Sequence, residues 1–220
     1  MKYSAKTIPP VRFNAWLSQA NDDWQPTYGN LQNPEKGDVH IALLIEQGYV
    51  CAYCGRAVKD DRLDSHIDHF LPRAHFRERE LDYSNFFASC GPPHEQAGAE
   101  RRLPSTCGDA KGKWHNEAAS IWPSDPNCER RFWFIASGRV RPMQAADIPA
   151  ENMIKALNLN DATLVLERKR IIGGVEVDIA RGLITVQNVA TEIGIWRTAN
   201  NGRLTGFGHV AARYLEEEPL

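Results

Sequence analysis

The sequence predicts an α+β fold: a small cysteine-pinned core embellished by N- and C-terminal helices and a β-hairpin. Three observations predict it. Cys51, Cys54, Cys90 and Cys107 frame a short central segment. Inside that frame, 62–70 has the length and alternation of a strand, and 83–90 reads as a short ordered piece leading to the third cysteine. Outside it, apolar residues recur at helical spacing on both sides, interrupted by RRFWFIASGRVRPM at 130–143, which reads as a hairpin with Ser137-Gly138 at its turn. The expected division is 1–44 as an arm and helix, 45–120 as the core, and 121–220 as the hairpin and a helical region.

The elements follow in order. Pro9-Pro10, Pro26 and Pro34 break the first stretch into a short helix and an arm around Phe13, Trp16, Leu17 and Trp24. Residues 37–47 read as a helix with Ile41, Leu44 and Ile45 on one face and Gly48 to end it. CAYCG at 51–55 is a tight turn with a knuckle spacing. In 62–70, His66, Asp68 and Phe70 alternate with Ile67 and His69, so Asp68 and His69 point to opposite sides of a regular strand; a bulge or the strand's end at Leu71-Pro72 must bring them to one site. Residues 73–82 read as a charged loop, 83–90 as a short ordered piece, and 91–105 as an exposed insertion. Cys107 opens CGDAKGKWHNEAA as the start of a helix. Helices follow at 150–158, at 161–181 with Asp161 as N-cap and a weak point at Gly173-Gly174, and near 185–199 and 206–217.

Composition bounds the function. The 220 residues are 42% hydrophobic and 25% charged, as in a globular protein. No apolar run is long enough for a bilayer and the first residues carry no apolar leader, so a cytoplasmic protein is expected. A net charge of -2 argues against a free-standing, non-specific DNA binder. Local basic clusters remain, among them Arg73/Arg77/Arg79, Lys111/Lys113 and Arg168/Lys169/Arg170; the last reads as a solvated helix face.

Five cysteines in such a chain argue for metal ligation plus one spare thiol, Cys128. Four thiolates are a zinc-type donor set, with Cys51 and Cys54 as one pair and Cys90 and Cys107 as the other. His94 is a rival for a place in the second pair, and plain buried thiols are the alternative for Cys90 and Cys107. Within the frame, Asp68 suits a hard divalent ion and His69 suits a general base. Phosphodiester hydrolysis needs both, since a base activates water and a cation such as Mg²⁺ neutralises the developing charge. Arg73 and Lys111, with Lys113 beside it, are the candidate phosphate contacts.

The order CAYCG, HIDHFLPR, YSNFFASC, CGDAKGKW resembles the HNH endonucleases with a ββα-metal core, and more narrowly the HNH subunits of retron and Septu-type anti-phage defence systems. SDPNCERRFWF, the SGRV hairpin and IKALNLNDATLVLERKR extend the resemblance, which covers most of 20–180. It implies Asp68 as a ligand of a catalytic Mg²⁺ or Mn²⁺, His69 as the general base, and Asn85 as a brace for the loop carrying His69. It implies a structural zinc, a DNA substrate, and an ATPase subunit as partner. The chain departs from the pattern at Gly108, where the family has a final His or Asn; Asp109 is the substitute ligand and His115 the runner-up. That departure sustains a rival expectation, a non-catalytic zinc-pinned module that binds DNA or a partner ATPase.

Overall fold

A computed structural model describes residues 1–61, 63–91 and 105–217. Among them are seven α-helices and two small antiparallel sheets. The insertion read at 91–105 lies almost wholly outside the described residues, as does His94.

Helix α1 (Val11–Leu17) packs against α2 (Glu35–Glu46). Helix α2 ends where Gly48 and Tyr49 turn left-handed, at φ 65° and 57°, and the Tyr49 N–H reaches the Leu44 carbonyl at 2.7 Å. Its buried face is Val39, Leu43 and Leu44. Of the expected Ile41, Leu44 and Ile45 face only Leu44 points in: packing on α1 and on the second strand selects the Val39/Leu43/Leu44 stripe and leaves Ile45 60% exposed.

Strands β1 (Ser65–His69) and β2 (Phe86–Cys90) pair in register from Ser65 opposite Cys90 to His69 opposite Phe86. The register carries no bulge, and all five residues of β2 are buried. Helix α3 (Cys107–Lys111) packs across both strands. It is shorter than the sequence implies because Gly112 leaves the helix at φ 50°.

Downstream, β3 (Phe132–Phe134) and β4 (Val140–Pro142) form the hairpin, turning at Gly138. A Cβ on Gly138 would lie 2.1 Å from the Val165 carbonyl, so the long helix sits directly on this turn. Helix α4 (Ile148–Ala156) is capped by Asp147, and α5 (Ala162–Ala180) by Asp161, which accepts the Thr163 N–H at 2.8 Å. Helix α5 runs unbroken through Gly173-Gly174. Arg168 is a correction: it is 1% exposed rather than solvated, donating to the Gly138 carbonyl at 2.7 Å and the Leu159 carbonyl at 2.5 Å. Helices α6 (Val189–Arg197) and α7 (Gly208–Glu217) pack against each other, and α7 also covers β3 and α5.

One buried cluster links all these parts, including Phe13, Leu44, Tyr53, Phe70, Phe86, Phe132, Met153, Ile172 and Leu215. Trp122 joins it on the Phe70 ring at 4.2 Å, and Trp114 and Trp196 pack against it. Among the described residues no helix is long and apolar enough to cross a membrane.

Candidate metal centre and active-site groove

The turn after α2 builds half of a sulfur cluster. The Cys51 N–H reaches the Arg56 carbonyl and the Gly55 N–H the Cys51 carbonyl, both at 2.9 Å, while the Arg56 N–H points at Cys54 Sγ at 3.4 Å. Gly55 is required twice over. Its φ is 77°, and a Cβ there would lie 2.2 Å from the His209 ring of α7. Cys90 comes from the end of β2 and Cys107 from the start of α3.

All four Sγ atoms lie within 4.8 Å of one another and all four residues are buried. The Cys54–Cys90 separation is 3.7 Å, close to the edge of about 3.8 Å of a tetrahedron with Zn–S bonds of about 2.3 Å. Disulfide sulfurs stand about 2 Å apart, and all the cysteines are free. The donor set fits a candidate zinc site. Burial pushes the Cys51 thiol up, but hydrogen bonds from Cys107, Cys54 and Cys90 outweigh it and hold it well below its ordinary value. Arg56 and Arg168 both feel the charge of these sulfurs. Cys128 stands apart, buried against the Pro123 carbonyl, its thiol pushed up to about 12 by burial.

Beside β1 lies a groove of about 1360 Å³. Asp68, His69, Asp109, His66, Arg73 and Lys113 all line it. The strand's end, with no bulge, brings Asp68 and His69 there. Asp68 faces α3, and His69 faces Tyr28 and Phe86, whose rings stand 4.4 and 4.8 Å from the imidazole. The groove runs past both flanks of that end.

His69 is 7% exposed, and its Nε2 lies 2.9 Å from the Glu80 carbonyl. A carbonyl only accepts, so Nε2 carries the proton and Nδ1 is the basic nitrogen of the neutral ring. Burial lowers the imidazole to about 4, with Arg73 and Lys111 adding to the effect against the Glu80 carbonyl and Asp68, so the ring is neutral at pH 7. Asn85, fully buried, joins the segments on either side of the turn. Its Oδ1 accepts the Leu71 N–H at 2.7 Å, its Nδ2 donates to the Leu71 and Arg79 carbonyls, and its own carbonyl accepts the Phe70 N–H.

Asp68 is held through one oxygen. Its Oδ2 accepts the Tyr53 hydroxyl and lies 3.3 Å from Lys111 Nζ. Burial first, and then the Asp68 charge, raise the Tyr53 phenol well above its ordinary value, so it remains a donor. Gly108 lies against the other side of this carboxylate: a Cβ at 108 would be 2.7 Å from Asp68 Cγ and 2.9 Å from Oδ1. Asp109, 8% exposed, is hydrogen-bonded by the Ser105 hydroxyl. His115 packs edge-on to Phe76 and Phe70 and is not among the residues lining the groove.

Of the three expected phosphate contacts, Arg73 lies over the Tyr28 ring at 4.5 Å and lines the groove together with the exposed Lys113. Lys111 is a correction. It is 3% exposed, with Nζ turned inward to the His69 and Phe70 carbonyls at 2.7 and 3.3 Å, because the strand end offers it acceptors that solvent would otherwise replace. Sequence reasoning missed Tyr53, Tyr28 and the closeness of Gly108 to Asp68. Tyr53 stands inside CAYCG, where the cysteine spacing explains the turn without it. His66 Nδ1 donates to the Gly91 carbonyl at 2.7 Å, leaving Nε2 as its basic nitrogen.

Among the described residues the cysteines are the only set of three or more His, Cys, Asp or Glu whose ligand atoms gather this closely. The groove therefore holds no closed cage. Mg²⁺ asks for none: it keeps several waters and is bound through one or two carboxylates. Asp68 and Asp109, both lining the groove, are donors of the kind such an ion takes. No family model matches the chain, and no curated protein matches it.

Proposed function

We propose that the chain is an HNH-type endonuclease that hydrolyses DNA phosphodiester bonds in the groove beside β1. One observation carries the reading: a neutral imidazole, its tautomer locked by the Glu80 carbonyl, lines the same water-accessible groove as Asp68 and Asp109. The resemblance of HIDHFLPR and its cysteine frame to the HNH endonucleases supports it.

In this reading His69 Nδ1 takes the proton of a water that attacks phosphorus in line, while Asn85 keeps the strand end that carries the ring in place. Asp68 and Asp109 would hold Mg²⁺ or Mn²⁺, which when bound supplies neutralisation of the developing charge and of the leaving 3′ oxygen. Arg73 and Lys113 contact the phosphate backbone. The products carry 5′ phosphate and 3′ hydroxyl ends. Cys51, Cys54, Cys90 and Cys107 would hold a structural zinc. By the same resemblance the setting is cytoplasmic phage defence, with an ATPase subunit as partner.

The test is plasmid cleavage in Mg²⁺. His69→Ala is expected to lower the rate by about 10²-fold or more while zinc content and circular dichroism stay as in the wild type. Cleavage that survives the substitution removes His69 from the chemistry. A second reading draws on Gly108, which stands where the family has a His or Asn: a non-catalytic module that docks on DNA or on a partner. Binding without cleavage in Mg²⁺ and in Mn²⁺ favours it.

A further inference from the structure

We propose that Tyr53 and Lys111 are positioning residues that clamp Oδ2 of Asp68, so that Asp68 offers a divalent ion the single oxygen Oδ1 and Lys111 keeps that ion loosely held. The proposal rests on the nuclease reading of the groove and adds to it a device for metal choice.

The clamp is asymmetric. Both donors, the Tyr53 hydroxyl and Lys111 Nζ, converge on Oδ2, whereas Oδ1 faces the Gly108 backbone, where no side chain intervenes. Three oxygens stand around Nζ: the His69 carbonyl at 2.7 Å, the Phe70 carbonyl at 3.3 Å and Asp68 Oδ2 at 3.3 Å. The two carbonyls accept hydrogen bonds from the ammonium, and the carboxylate adds an ion pair. Lys111 thus ties together the residue that would bind the ion, the residue that would act as base, and the strand exit after them. The Tyr53 donor comes from between Cys51 and Cys54, which joins the carboxylate directly to the sulfur-bearing turn.

Two consequences follow from charge and geometry. A fixed cation beside a ligand opposes a second cation, so the ion is held less tightly than a bare carboxylate would hold it. A carboxylate confined to one free oxygen suits the small octahedral ion and disfavours Ca²⁺, which takes carboxylates in bidentate fashion.

The experiment measures Mn²⁺ binding to the full chain directly, by the electron paramagnetic resonance signal of free Mn²⁺, with Ca²⁺ as competitor; zinc content and thermal melting report on folding. Lys111→Met is expected to bind Mn²⁺ about tenfold tighter, and Lys111→Arg, which keeps the charge, to stay near wild type. Damage to the site alone would move affinity the other way. Tyr53→Phe keeps the packing and removes the hydroxyl from Oδ2, leaving only the Lys111 ion pair there; Ca²⁺ is expected to compete about threefold better in that variant. Unchanged or weaker Mn²⁺ binding in a folded Lys111→Met, or unchanged Ca²⁺ competition in Tyr53→Phe, overturns the clamp and leaves the nuclease reading standing. A folded, zinc-loaded wild type that binds no Mn²⁺ removes the metal-dependent groove itself, and the clamp with it.

Discussion

The sulfur cluster and the groove share one small scaffold and differ in nearly every other respect. Strand β2 carries Cys90 and its partner β1 carries Asp68 and His69; α3 carries Cys107 and, two residues on, Asp109. The cluster is closed: four soft donors, all buried, drawn together from the turn, a strand and a helix. The groove is open: hard oxygen donors and an imidazole along a 1360 Å³ space, with no preformed cage among the described residues. A structural metal site excludes water and a catalytic one keeps a place for it. Across two strands and a helix, then, donor softness and access to solvent distinguish a candidate metal site from an open groove.

The strongest way to break this comparison is to strip the cluster. Chelation of zinc, or Cys51→Ser with Cys54→Ser, is expected to unfold the core, since metal binding at such sites is worth on the order of 10 kcal/mol of folding free energy. Circular dichroism against metal content checks it, with about one zinc per folded chain. A chain that stays folded without metal would leave the cluster as packed thiols.

On the groove side, Gly108→Ala probes the close approach to Asp68. The added Cβ, 2.7 Å from Asp68 Cγ, displaces the carboxylate, with an expected loss of roughly 10²-fold in cleavage. The accompanying loss of stability should be only about 1–3 kcal/mol. Rate and urea midpoint measured on one preparation separate the two effects.

His209 sharpens the comparison from the dry side. It is 4% exposed against Gly55, and burial holds its imidazole well below the ordinary value, with the nearby Glu129 carboxylate opposing the shift. The folded state therefore binds fewer protons than the unfolded one. Stability from this group is complete above the unfolded value of about 6.5 and is lost as pH falls below it, at up to about 1.4 kcal/mol per pH unit. Urea midpoints at pH 7.5 and 5.5 check it: His209→Phe is expected to fall less than wild type over that interval.

The smallest effect lies far from both sites. Gly173 and Gly174 sit inside α5 with nothing within 4 Å of an added Cβ. Each Gly→Ala change is expected to stabilise the chain by about 0.5–1 kcal/mol, seen as a rise in melting temperature with cluster and groove unaffected.

The sequence alone determined the frame. The CAYCG spacing, the later cysteines, the Asp68-His69 pair, the hairpin turn at Ser137-Gly138 and the Asp161 cap are local signals, set by backbone sterics and by the ligand preferences of sulfur and oxygen. Only the tertiary structure decided which way the ambiguous side chains turn. Arg168 reads as one member of a charged run until the Gly138 and Leu159 carbonyls draw it inside, and Lys111 reads as a phosphate contact until the His69 and Phe70 carbonyls claim it. Gly108 looks like a missing ligand until Asp68 is seen to occupy the space beside it. The physical reason is the same in each case. A charge or a bare backbone takes its role from acceptors and neighbours distant in sequence, and no periodicity along the chain records who they are.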